Sequence, residues 1–214
     1  MPTPSDTLIA SLVDDLAPAR PMRFGRGLAW AIAAIVLGAM LVLALGTMRS
    51  DLAAGHPDAM FLVSSGLFLL LALAATATVV RMAAPRVGAA HDGWRWAAAM
   101  AGLLPGVAGL MMITDPGHAW PESAPVHGLM CMGAALAIGT ATVAMLVAWL
   151  RQGAPTDPQR AGLLTGIAGG AAGVFAGSLR CPIDSLVHIG LWHGAAVVLG
   201  ALAGWLVVPR LVRW

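Results

Sequence analysis

Six apolar runs, each about the length of one membrane crossing, leave this chain few ways to fold. They lie at residues 28–48, 60–80, 96–114, 126–150, 161–179 and 189–208, and none has Asp, Glu, Lys or Arg in its interior. About 20 apolar residues in a helix cross a hydrocarbon core of about 30 Å. In lipid a helix satisfies its own backbone polar groups, which an isolated strand cannot do. Composition agrees: 59% of residues are hydrophobic, 10% are charged and the mean hydropathy is +0.83. A soluble domain carries roughly a quarter charged residues, so this surface needs lipid as its solvent. The expectation is an all-α polytopic membrane protein with six transmembrane helices. Residues 1–27 form an N-terminal segment, and 28–214 form the transmembrane domain. The first run is longer than a signal-peptide core, so the N-terminal segment is expected to stay on the chain.

Arginine placement orients the bundle. All 12 basic residues are arginine. Arg20, Arg23, Arg26, Arg81, Arg86, Arg95, Arg151, Arg160, Arg210 and Arg213 fall at one set of helix ends, and only Arg49 and Arg180 at the other. The positive-inside rule makes the first set cytoplasmic. Both termini are therefore expected in the cytoplasm of a bacterial inner membrane, with mildly acidic outer loops. Tryptophans near the run ends, including Trp149 and Trp192, fit headgroup-level belts. The net charge of +2 is too small to suggest direct nucleic-acid binding.

Residues 4–17 predict a short amphipathic helix. Leu8, Ile9, Leu12, Val13 and Leu16 form one apolar stripe. Ser5 or Asp6 can cap its start, and Pro18 ends it. Asp6, Asp14 and Asp15 make the other face acidic, whereas membrane-surface helices are usually basic. Such a helix can rest on the membrane or hook a basic soluble partner through an apolar groove.

The fifth run has glycines four apart, Gly162, Gly166 and Gly170, and again Gly169, Gly173 and Gly177. No GxxxxGK[ST] accompanies them, so they predict close helix packing instead of a phosphate loop. Those faces also offer a contact for a homodimer. Gly102 and Gly106 repeat the spacing in the third run, where Pro105 adds a kink.

Chemistry concentrates in few residues. The only cysteines, Cys131 and Cys181, fall at the same, outer end of the fourth and fifth runs. Three readings stay open: two incidental buried thiols, a redox pair, or a soft-metal site. Thiolates with imidazoles suit thiophilic ions. His127 lies one turn before Cys131, and His188 and His193 follow Cys181 by seven and twelve residues. Arg180 beside Cys181 favours its thiolate, and Asp184 pairs with Arg180 or caps the sixth helix with Ser185. No GxSxG, HExxH or intramembrane carboxylate pair occurs, so neither an enzyme nor an ion-coupled transporter is expected.

These features together resemble the NrsF-type bacterial membrane anti-sigma factors. The resemblance rests on the segment TLIASLVDDLAPARP, the six runs, Cys131, the CPIDS stretch from Cys181 to Ser185 with Trp192 beyond it, and the basic end PRLVRW. Ile183 stands where the resemblance leads to the expectation of an acidic residue. The resemblance implies a sensor and anchor that sequesters an extracytoplasmic-function sigma factor. Release would follow a periplasmic heavy-metal or oxidative signal at Cys131 and Cys181. The sigma contact would be Leu8, Ile9, Leu12, Val13, Asp15 and Leu16. No resident cofactor is implied, only transient binding of a thiophilic ion. The rival class is a membrane thiol–quinone oxidoreductase using the same cysteines.

Overall fold

In the computed structural model, which describes residues 3–15, 22–84 and 93–212, the six runs are six helices long and apolar enough to cross a membrane. With a short N-terminal helix and two short helices between spans, the order is α1 (Pro4–Asp14), α2 (Phe24–Ala44), α3 (Ser50–Ala53), α4 (Ala59–Met82), α5 (Gly93–Thr114), α6 (Pro116–Ser123), α7 (Pro125–Leu150), α8 (Pro158–Ser178) and α9 (Leu186–Leu211). No strand occurs among the described residues.

α1 starts at residue 4 as expected, but its cap lies two residues before Ser5. Thr3 is the N-cap, and Asp6 returns a bond to the Thr3 backbone at 2.8 Å, closing a capping box. The helix ends at Asp14, with Asp15 as its C-cap, short of the expected residue 17. Leu8, Ile9, Leu12 and Val13 are all exposed, as is Asp15. Leu16 lies outside the described residues, as do Arg20, Arg86, His91 and Arg213.

α8 is the axis of the bundle. It is the least apolar of the six spans yet the most completely buried. Its glycines explain the contradiction, because they trade side-chain area for close backbone approach. One face, Gly162, Gly166 and Gly170, lies against Gly204, Gly200 and Val197 of α9. The other, Gly169 and Gly173, lies against Gly139 and Ala135 of α7. Gly162, Gly166, Gly169, Gly170 and Gly173 are thus filled from within the chain and are not free for a second copy, whereas Gly177 meets nothing within 4 Å of a notional Cβ. Gly102 and Gly106 meet no heavy atom within 4 Å of a notional Cβ, so the same spacing in α5 is not a packing face. The close contact of α5 is made by glycines of α9: Gly190 sits on Leu104 and Ala108, and Gly194 on Pro105.

Trp149 also departs from expectation. It is buried, packs on Gly27 of α2 and donates from Nε1 to the Val80 carbonyl of α4 at 3.3 Å. It locks three spans together and does not face lipid. α2 ends at Ala44 instead of running to residue 48, and Gly46 beyond it lies directly against the Arg180 guanidinium. Between α6 and α7, Ala124 takes φ 40°. Pro125 follows it and bars the right-handed helical region, so the chain turns sharply from one helix into the next.

Candidate functional site: a buried cysteine–histidine cluster

Four residues from two separate stretches of the chain converge at one end of the bundle. Cys131 lies in the second turn of α7, Cys181 follows α8, and His188 and His193 lie in the first turns of α9. The two sulfurs are 3.6 Å apart. Cys181 Sγ is also 3.6 Å from His188 Nε2. One ligand atom from each of the four residues falls within 4.8 Å of every other. Cys181, His188 and His193 are buried, and Cys131 is half-buried.

Local structure makes this convergence. In a regular α-helix, positions five apart are about 140° apart around the axis. Residues Ile189–His193 instead form one π-helical turn, and i→i+5 bonding returns His193 to the face of His188. The two rings meet edge to face with centroids 5.4 Å apart. His193 also meets Phe68 of α4 edge to face at 6.3 Å. Ser185 caps the start of α9, accepting from the His188 backbone at 3.5 Å and donating to Glu122 of α6 at 2.7 Å. Trp192 donates to the Ser123 carbonyl at 2.6 Å and covers Gly128 of α7.

The Cys181 thiol is held below its ordinary pKa. The thiol of Cys131 hydrogen-bonds to it, and His188 and His193 act in the same direction against the opposing effect of burial. This is the direction needed for a nucleophile or metal ligand. Among the described residues, His188 Nδ1 is buried with no hydrogen-bond partner, and the ring's one hydrogen-bonding contact is to the Cys181 sulfur at its other nitrogen.

The cluster is reached from outside the protein. A groove of about 590 Å³ runs between α2 and α7 over the end of α8 and is lined by Leu41, Leu45, Met130, Cys131, Cys181 and His193. His127 and Arg180 also line it and are exposed. His127 thus stands on the approach to the sulfurs, and is not one of the four converging groups.

The outer polar contacts differ from the expected pairing. Asp184 does not take Arg180. It takes Arg49, bidentate at 3.0 and 2.6 Å. Arg49 passed unremarked in the sequence except as a topological marker; its isolation at the arginine-poor end was the only available signal.

The fold and site define a polytopic helical membrane protein with a buried cysteine–histidine cluster at one end and an exposed amphipathic arm on its N-terminal side. The chain belongs to the NrsF family, whose description is negative regulator of sigma F, and the family match spans residues 12–214. It is 31% identical to the anti-sigma-F factor NrsF of Caulobacter vibrioides (strain NA1000 / CB15N), covering 98% of this chain and 99% of that one. It is 29% identical to a probable anti-sigma-F factor NrsF of Azospira oryzae (strain ATCC BAA-33 / DSM 13638 / PS), covering 92% of each. No solved structure matches it. The family is one of regulators.

Proposed function

We propose that this protein is a membrane-embedded anti-sigma factor that binds an extracytoplasmic-function sigma factor through its N-terminal arm. A thiophilic cation or an oxidant acting on Cys131 and Cys181 releases the sigma factor. The observation that carries the sensor reading is the approach of two thiols, 50 positions apart in sequence, to 3.6 Å beside two buried imidazoles. The arm reading rests on α1, whose apolar residues Leu8, Ile9, Leu12 and Val13 have no cover.

The arginine-rich helix ends face the cytoplasm on this reading, which puts the cysteines on the periplasmic side of a bacterial inner membrane. That compartment permits thiol oxidation. An oxidant would take two electrons and two protons from the thiols as the S–S bond forms. A soft cation would instead bind both sulfurs with His188 and His193. The residues fit such an ion, because ligand bonds of about 2.0–2.3 Å call for four donors only slightly closer together than these. His127, on the groove wall, is assigned to the entry path.

The signal must favour the released state over the sigma-bound one, because equal affinity for both shifts nothing. Turning a 1:99 population into 99:1 takes about 5.5 kcal/mol of differential binding, within reach of a metal bound through two thiolates.

The test is a pull-down in detergent, with full-length protein and with residues 1–17 removed. The full-length form should capture sigma factor. The shortened form should capture at least about tenfold less, equivalent to some 1.4 kcal/mol, while the six-helix part still accumulates. Equal capture by both forms would move the sigma contact to the inner loops, with 151–160 as the first place to look. No capture by either would overturn the anti-sigma reading.

A further inference from the structure

Arg49 is the one Asp, Glu, Lys or Arg side chain that is buried among the described residues, at 7% exposure. Burying a charge is costly unless it is paired and its donors are used. Here four of the five guanidinium N–H donors are used, three of them on one segment. Nη1 donates to Asp184 Oδ1 at 3.0 Å and to the Cys181 carbonyl at 3.1 Å, and Nη2 donates to Asp184 Oδ2 at 2.6 Å. The Arg49 backbone N–H donates to the Leu179 carbonyl at 3.1 Å. Nε is held by Asp51 at 2.6 Å, and the guanidinium lies 4.4 Å from the Phe61 ring centroid of α4. The Arg49 hydrogen bond, followed by the Asp58 backbone N–H, holds the Asp51 carboxyl well below the usual range.

Among the described residues, every hydrogen bond from Arg49 outside its own loop goes to the segment 179–184, which carries Cys181. Gly46, against Arg180, fastens the same two segments a second time. Behind the clasp there is almost no free space. The cavity enclosed by Arg49, Phe61, Phe68, Cys181, Asp184 and His193 measures about 10 Å³. Arg49 follows the end of α2, and the 21 residues of α2 rise about 30 Å from the end of the bundle where the N-terminal arm joins. A displacement of Cys181 toward Arg49 has almost no free space to enter and bears on the outer end of that span, whereas the free volume lies on the groove side.

We propose that Arg49 is the positioning residue of the switch: it fixes Cys181 against Cys131 and ties the state of the thiol pair to α2. This rests on the reading of Cys131 and Cys181 as the trigger. Charge, fork geometry and burial all take part. Lysine keeps the charge but cannot hold Asp184, Asp51 and the Cys181 carbonyl together.

The experiment uses full-length protein in detergent with the sigma factor it captures, and diamide as the oxidant. Diamide accepts the two electrons and two protons that the thiols lose. Wild type should release sigma factor with at least about a tenfold loss of retention. Arg49→Gln should retain sigma factor normally when reduced, but diamide should change its retention by less than about twofold. Arg49→Lys should fall between. Coupling is reciprocal, so bound sigma factor should protect the wild-type thiols from diamide, read by mass-tagging of free thiols, and should not protect those of Arg49→Gln. Loss of protection is not expected of a residue that merely supports the fold.

Normal release and normal protection in Arg49→Gln would overturn the proposal. Should that variant not accumulate, Asp184→Asn carries the test, since it removes the bidentate ion pair but leaves Arg49 its bonds to Asp51 and Cys181. Unchanged release and protection there would overturn the proposal equally. Wild type that closes its thiols without releasing sigma factor would remove the trigger reading itself, and with it this role for Arg49.

Discussion

Cys131→Ser combined with Cys181→Ser should abolish release by Cd²⁺ or diamide while sigma capture stays at the wild-type level. The substitution is close to isosteric, so the packing of α7 against α8 is kept. The two hydroxyls can bond to each other and to His188, so no new buried polar atom is stranded. What is lost is the soft donor. Removing groups that only orient a metal ligand costs about 10–100-fold in affinity, so losing both thiolates should cost at least about 100-fold. Cation affinity is read by isothermal titration or by the thiolate charge-transfer band, and release by the pull-down. The histidines separate the two signals. His188→Gln and His193→Gln should each weaken Cd²⁺ binding about 10–100-fold, yet leave diamide closure of the thiols nearly unchanged. Normal release by both agents in the double serine variant would sink the sensor reading. Equal Cd²⁺ affinity in the glutamine variants would reduce the site to its two sulfurs.

How far this site was legible from the sequence depends on which physical rule each residue obeys. The six spans follow from length and missing charge alone, and the structure moves their ends by only a few residues. Both cysteines fall at one end because an up–down topology requires it. The histidines were harder. His127 stands one turn from Cys131 and looks like the natural partner, but its ring is exposed on the groove wall. His188 and His193 are spaced for opposite sides of an α-helix, and only the π turn Ile189–His193 unites them. No local propensity announces that turn. It comes with tertiary contacts, among them the seating of Gly190 and Gly194 on α5. Arg49 was invisible for another reason. Its partner Asp184 is 135 positions away, and sequence favours the nearer Arg180.

The glycines carry the other large expected effect, because identical spacing has opposite meaning in two helices. Gly173→Ala places a Cβ onto the Ala135 carbonyl oxygen and 3.0 Å from the Gly139 nitrogen. Backbone atoms cannot rotate away as a side chain can, so α7 must lift off α8. Overpacking of this kind costs about 1–3 kcal/mol, against a gain of up to about 1 kcal/mol from the better helix propensity of alanine. At Gly102 the added Cβ meets nothing within 4 Å, so only the gain remains. Gly173→Ala should therefore lower the thermal midpoint in detergent, and Gly102→Ala should leave it level or raise it. Gly173→Val should be worse than Gly173→Ala and should prevent accumulation. The loss also reaches the site, since Cys131 sits one turn before Ala135 on the face that would be displaced. In Gly173→Ala, diamide should close the Cys131–Cys181 pair more slowly than in wild type, while Gly102→Ala closes it at the wild-type rate. If both variants melted and oxidised like wild type, the close crossing of α7 over α8 would not be what holds the two thiols together.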